Sequence, residues 1–248
     1  MEGENNSNKK LMDKLVMGLF IIGLSIVIFN QFQLSSIEKG TEVPTGMSVV
    51  RADVIPTGIP RIYGAELGIK YDDVDINDAA KADKTIKILG NFDTSITLDG
   101  ANLERYITIA SQMSCEYCCG AQSIIFRKED VSNLESRIQE AIASGQITAD
   151  QADRYRKKAG EAACGCAHSF AMRGLAKYLI SKHSSELTDQ EISDEMAKWK
   201  TLFFPTQMAE KADTLKANSI EFSYTNLGSN TYRNIGQSQS NGGMVGGC

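Results

Sequence analysis

SNLESRIQEAIASGQITADQADRYRKKA, residues 132–159, reads as two helices joined by a tight turn. Ser132 stands three residues before Glu135, and Thr148 three before Gln151. That S/T-x-x-E/Q spacing is the capping box, which satisfies the first unpaired amides of a helix. Gly145-Gln146-Ile147 is short enough to join helices over 132–144 and 148–159 as an antiparallel hairpin. A third box, Thr188…Glu191, opens a helix over 188–201, and Pro205 closes that run. Residues 167–182 form another helix between these. Upstream, 77–89 predicts a short helix stopped by Gly90. Asp99 caps a helix running to about Met113 or beyond, with Leu103, Ile107 and Ala110 at i, i+4 and i+7. Residues 220–224 alternate as a strand or an extended segment packed on the bundle. The expected class is mainly α, a helical cysteine-rich domain over 77–225.

The cysteines flank the hairpin. Five of the six lie between Cys115 and Cys166, in SCEYCCG (114–120) and CGCAH (164–168). If the preceding helix continues, Cys115, Cys118 and Cys119 fall at i, i+3 and i+4 on one face, and Gly120 ends it. Cys164 and Cys166 stand at the mouth of helix 167–182, where a helix N-terminus favours thiolate. Folding the hairpin back would bring its two ends together. A C-x2-C plus a C-x-C supplies four thiolates, the number a tetrahedral zinc site or an iron–sulfur cluster takes. Cys119 and His168 are extra donors, and a surplus of soft donors also suits copper(I). The candidate ligands are therefore Cys115, Cys118, Cys119, Cys164, Cys166 and His168. Two other chemistries fit the same thiols: a thiol–disulfide oxidoreductase of the cell envelope, and a disulfide-braced interaction module. Plain core packing is a fourth reading, since the cysteine trio continues the Leu103–Ile107–Ala110 side and His168 shares a face with Met172, Leu175 and Leu179.

Residues 226–248 are low in complexity: fifteen of the 23 are Gly, Ser, Asn or Gln, which reads as a flexible tail. It ends in Cys248. Five clustered cysteines are an odd number, so Cys248 is a candidate mobile thiol, either an extra ligand or a resolving partner.

Formal charge is −5, from 26 Lys+Arg and 31 Asp+Glu, which argues against nucleic acid as a partner. There is no P-loop, G-x-G-x-x-G, H-E-x-x-H or G-x-S-x-G, and two histidines make a His-based triad improbable. Residues 15–37 carry no charge and contain the apolar run LVMGLFIIGLSIVIF (15–29). About 20 residues at 1.5 Å each reach roughly 30 Å, a bilayer's hydrocarbon thickness. Lys9, Lys10 and Lys14 precede the run and only Lys39 follows closely, which places 1–14 in the cytoplasm. No A-x-A-like cleavage site appears. The expectation is a single transmembrane helix at 15–37 holding the protein to the cell membrane. An extended Pro/Gly-rich segment (38–76) and the extracytoplasmic helical domain would follow it. No protein partner is indicated.

Two resemblances arise at the cysteines. CEYCCG (115–120) followed by CGC (164–166) resembles exported cysteine-rich proteins carrying a PCYCGC motif, which implies metal binding. The order here is C-E-Y-C-C-G, with no preceding Pro. Residues 164–205 look like the periplasmic thiol reductase of cytochrome c maturation. Cys164 and Cys166 open a helix there, followed by Arg173, Gln190-Glu191-Ile192 and Pro205. That resemblance implies a reversible dithiol, although this pair is C-x-C where the family has C-x2-C.

Overall fold

Five of the described helices begin at a residue whose side chain accepts a first-turn amide: Asp78, Thr148, Cys166, Thr188 and Ser223. The computed structural model describes residues 53–236 and 244–246. Among them it holds nine α-helices: α1 (Gly64–Leu67), α2 (Ala79–Ser95), α3 (Gly100–Ala110), α4 (Lys128–Ala143), α5 (Ala149–Ala152), α6 (Ala167–Lys182), α7 (Asp189–Phe203), α8 (Pro205–Ala217) and α9 (Tyr224–Gly228). Two 3-10 turns, Tyr71–Asp73 and Asn230–Tyr232, join them. No strand forms among the described residues; pairing is confined to isolated bridges. The chain is mainly helical, as its capping and spacing imply.

Helix α6 is the central element. Eleven of its sixteen residues are buried, His168 and Arg173 included. It lies along α2, and α3 and α7 pack against it as well. The approach to α2 is set by two glycines. A Cβ on Gly174 would sit 2.1 Å from the Leu89 carbonyl oxygen, and one on Gly90 2.1 Å from the Phe170 ring. Gly90 therefore does not stop its helix; it admits Phe170, and α2 runs on to Ser95. Gly174→Ala must force the two backbones apart and should cost about 1–3 kcal/mol, by the measure of other overpacked cores. Urea denaturation should show a lower midpoint; an unchanged midpoint would mean the helices do not approach this closely.

From α7, Trp199, Phe203 and the adjoining Phe204 are fully buried. The Trp199 indole donates to the Tyr63 hydroxyl (2.6 Å), and Tyr63 and Tyr71 both donate to Glu195 (2.7 and 2.5 Å). That network binds the described part of the Pro/Gly-rich segment to the helical core.

Several expectations need correction. No helix among the described residues is long and apolar enough to cross a membrane. The longest, α2, has 17 residues, about 25 Å at 1.5 Å per residue, and carries Lys81, Asp83, Lys84, Lys87 and Asp93. The span expected at 15–37 lies outside the described residues. The class of one transmembrane helix plus an exported bundle is thus replaced by a mainly helical fold. The single-pass, extracytoplasmic placement that depended on the span is dropped with it.

Helix α3 ends at Ala110, so the first cysteines do not share a helical face. The helix expected from Ser132 begins at Lys128 instead. The Asp130 carboxylate accepts the Arg127 amide (3.0 Å), while the Ser132 hydroxyl donates to the Lys128 carbonyl within the helix. The helix expected over 148–159 is reduced to α5. Its capping box forms, but only Ala152 is buried and no apolar stripe extends it. Residues 220–223 do not form a strand; Ser223 caps α9. In the segment read as a flexible tail, Leu227 and Val245 are core residues.

Candidate metal centre

The two segments flanking the α4–α5 hairpin build the centre. After α3 the chain doubles back. The Ile124 amide bonds the Met113 carbonyl (2.9 Å), the Cys115 amide bonds Ala121 (3.0 Å), and Gly120 turns between them at φ +68°. That positive φ is the conformation glycine adopts without a Cβ penalty. Cys115, Cys118 and Cys119 are therefore presented by a loop. The base of the hairpin is then closed by Phe126 N–H to Glu161 (2.8 Å), Gly160 N–H to Phe126 (2.9 Å) and Ala163 N–H to Ile124 (3.1 Å). This closure carries Cys164 to the first cluster. Buried Arg173 locks it, donating to the Cys164 and Ile124 carbonyls (2.8 and 3.4 Å) while pairing with Asp93 on α2 (2.8 Å).

Cys119 and Cys164 form a disulfide with Cα atoms 6.4 Å apart. Cys115, Cys118 and Cys166 remain thiols. Cys115 Sγ is the hub, 3.4 Å from Cys164 Sγ and 3.4 Å from Cys166 Sγ. The ligand atoms of Cys115, Cys119 and Cys164 all lie within 4.8 Å of one another, as do those of Cys118, Cys166 and His168. The second group is open to a metal ion as it stands, whereas two sulfurs of the first are joined in the disulfide. Sulfurs around zinc at about 2.3 Å stand roughly 3.8 Å apart, within a few tenths of an ångström of the two hub distances.

Cys166 caps α6. Its sulfur accepts the Ser169 amide (3.3 Å) and stands 3.3 Å from the Ser169 hydroxyl. The Cys115 thiol donating to it, then His168 and Ser169, holds the Cys166 thiol far below its ordinary value. The same hydrogen bond, with burial, drives Cys115 upward. The 3.4 Å contact between the two sulfurs makes them titrate as a pair.

His168 has no exposed surface and lies between the rings of Phe203 and Phe204, with centroids 4.9 and 4.8 Å away. Its Nε2 is 2.9 Å from the Val245 carbonyl oxygen. A carbonyl only accepts, so Nε2 carries a proton and donates it there. Val245 is held in turn by its own amide on the Phe203 carbonyl (2.9 Å). A backbone carbonyl fixing one ring nitrogen so that the other can ligate is the usual support of a metal-binding imidazole.

Directly behind Cys115 sits a buried ionic group. The Glu116 carboxylate takes Lys200 (3.1 Å) and Lys211 (2.8 Å) on Oε1 and the Asn234 amide (2.9 Å) on Oε2. Lys200 also donates to the Ser114 hydroxyl and the Gly228 carbonyl (2.9 and 3.1 Å). Burial pushes the Glu116 carboxyl up, but the two ammonium groups outweigh it and hold it below the usual range. Burial, with Lys200 nearby, brings Lys211 down to about 8. One carboxylate and two ammonium groups leave one positive charge beside the thiols.

All six expected ligands thus converge, the first cluster from a loop instead of a helix and the second at the helix N-terminus expected for it. Cys248 lies outside the described residues. The sequence reading missed Glu116, Lys200, Lys211 and Val245. Glu116 lay within the cysteine motif, and Lys200 sat inside the apolar run around Trp199 and Phe203; those were the available signals. No protein-family model matches the chain, and neither curated proteins nor solved structures give a match.

Proposed function

We propose that this protein binds a soft or borderline metal ion, zinc or copper(I), through Cys118, Cys166 and His168, with Cys115 as an adjoining thiol that releases its proton when it ligates. The observation that supports this most is His168: a buried imidazole among thiols whose Nε2–H is fixed by the Val245 carbonyl. Sulfur and imidazole donors select these ions over magnesium or calcium, which take oxygen. The buried positive charge behind Cys115 favours a centre with surplus thiolate. Protein purified without chelator should carry stoichiometric zinc or copper by elemental analysis. Cys166→Ser and His168→Ala should each lower that content at least tenfold while circular dichroism stays helical. Metal-free wild type that also fails to take up Zn(II) or Cu(I) on titration would end this reading.

One distance favours a second reading. Cys115 Sγ stands 3.4 Å from Cys164 Sγ of the disulfide. Attack there by Cys115, its proton passing to Cys166 Sγ 3.4 Å away, would form a Cys115–Cys164 bond and release Cys119 as thiolate, so the cluster can also exchange disulfides. A metal-free protein with an equilibrating dithiol would favour it.

A further inference from the structure

The two ligand groups share an edge. Cys115 belongs to the group with Cys119 and Cys164, yet its sulfur is as close to Cys166 in the other group as to Cys164 in its own, 3.4 Å in both cases. With the Cys119–Cys164 bond formed, those two sulfurs are spent on each other and only the His168 group can take an ion. We infer that reduction of this disulfide opens a second metal position, and that the Cys115 thiolate bridges the two ions. The inference rests on the metal-binding reading above and adds a stoichiometry set by redox state.

The chemistry balances with one dithiol as co-reactant. It gives two electrons and two protons to the Cys119–Cys164 bond and becomes a disulfide, leaving two thiols. Each thiol then releases its proton as it ligates. Cys119 is exposed whereas Cys115 and Cys164 are buried, so the reductant meets the bond from the Cys119 side. Charge also favours two ions. Five thiolates around one divalent ion leave three negative charges, and around two leave one. The adjoining Glu116, Lys200 and Lys211 carry one positive charge between them. A buried site tolerates the neutral combination best.

The test is a Zn(II) titration of the full chain against a chromophoric chelator, after all metal has been stripped. One sample keeps the disulfide, verified by mass spectrometry; the other is reduced with a dithiol that is then removed anaerobically. The expected uptake is one ion per chain with the disulfide and two without it. The double variant Cys119→Ser/Cys164→Ser should take one ion under both conditions. Cys115→Ser, reduced, should take no more than one. One ion in both wild-type samples overturns the second position but leaves the metal-binding reading intact. No uptake in either removes both. Two ions in the oxidised sample overturns the redox dependence, and two in reduced Cys115→Ser overturns the bridge. The wild-type comparison stands even if Cys115→Ser fails to fold.

Discussion

Glu116→Gln should lose about 3–5 kcal/mol of stability near neutral pH, the usual cost of leaving buried charges without their partner. The carboxylate has no exposed surface and is the counter-charge for two ammonium groups that are themselves buried. Replacing it strands two positive charges in the core. Urea denaturation at pH 7 should show the loss, and Glu116→Gln/Lys211→Met should recover part of it by removing one stranded charge. A variant as stable as wild type would mean water reaches this group. Its pH dependence has two parts. Glu116 is held below its unfolded value, so its contribution is present above the ordinary carboxylate range and is lost as pH falls through the folded value. Lys211 is held down at about 8 against 10.5 unfolded. Between those values the unfolded chain binds more protons, so this lysine makes stability rise with pH across that window.

Val245→Asp should weaken metal binding by about 10–100-fold, the loss that follows when the group orienting a ligating imidazole is removed. Val245 is 2% exposed, and its backbone joins Phe203 to His168. A carboxylate at that position draws the segment towards water, and His168 loses the acceptor that fixes its tautomer. Competition titration of the variant against wild type measures the change. Equal affinities would show that the imidazole is oriented without Val245.

These two residues also mark where sequence reading stops. The capping boxes at Thr148…Gln151 and Thr188…Glu191 form as spaced, because they depend on side chains three residues apart. The convergence of the cysteine clusters was legible for a similar reason: a hairpin connecting them returns the chain to its start. Ser132…Glu135 misled because Asp130 lies closer to the point where the chain enters the helix and competes for the same amides. Gly90 read as a stop because its partner, Phe170, is 80 residues away and invisible to a local window. Lys200 and Lys211 lie 84 and 95 residues from Glu116, so nothing local announces the pairing that the fold makes. Val245 lay in a segment whose composition suggested no packing at all. Local chemistry was written in the sequence; the long-range partners were not.

The α4–α5 hairpin separates two properties of the chain. Its base is closed by Phe126, Gly160 and Ala163, and beyond that closure α4 buries only Ile138. The ion pair of Lys128 with Glu104 on α3 is an exposed tether, of the kind that contributes little. Nothing the thiols need passes through the arm. Its length and sequence can therefore drift, lengthen or acquire a new recognition surface while the ligands keep their spacing. A lineage could retool what this protein docks with and leave its inorganic chemistry untouched.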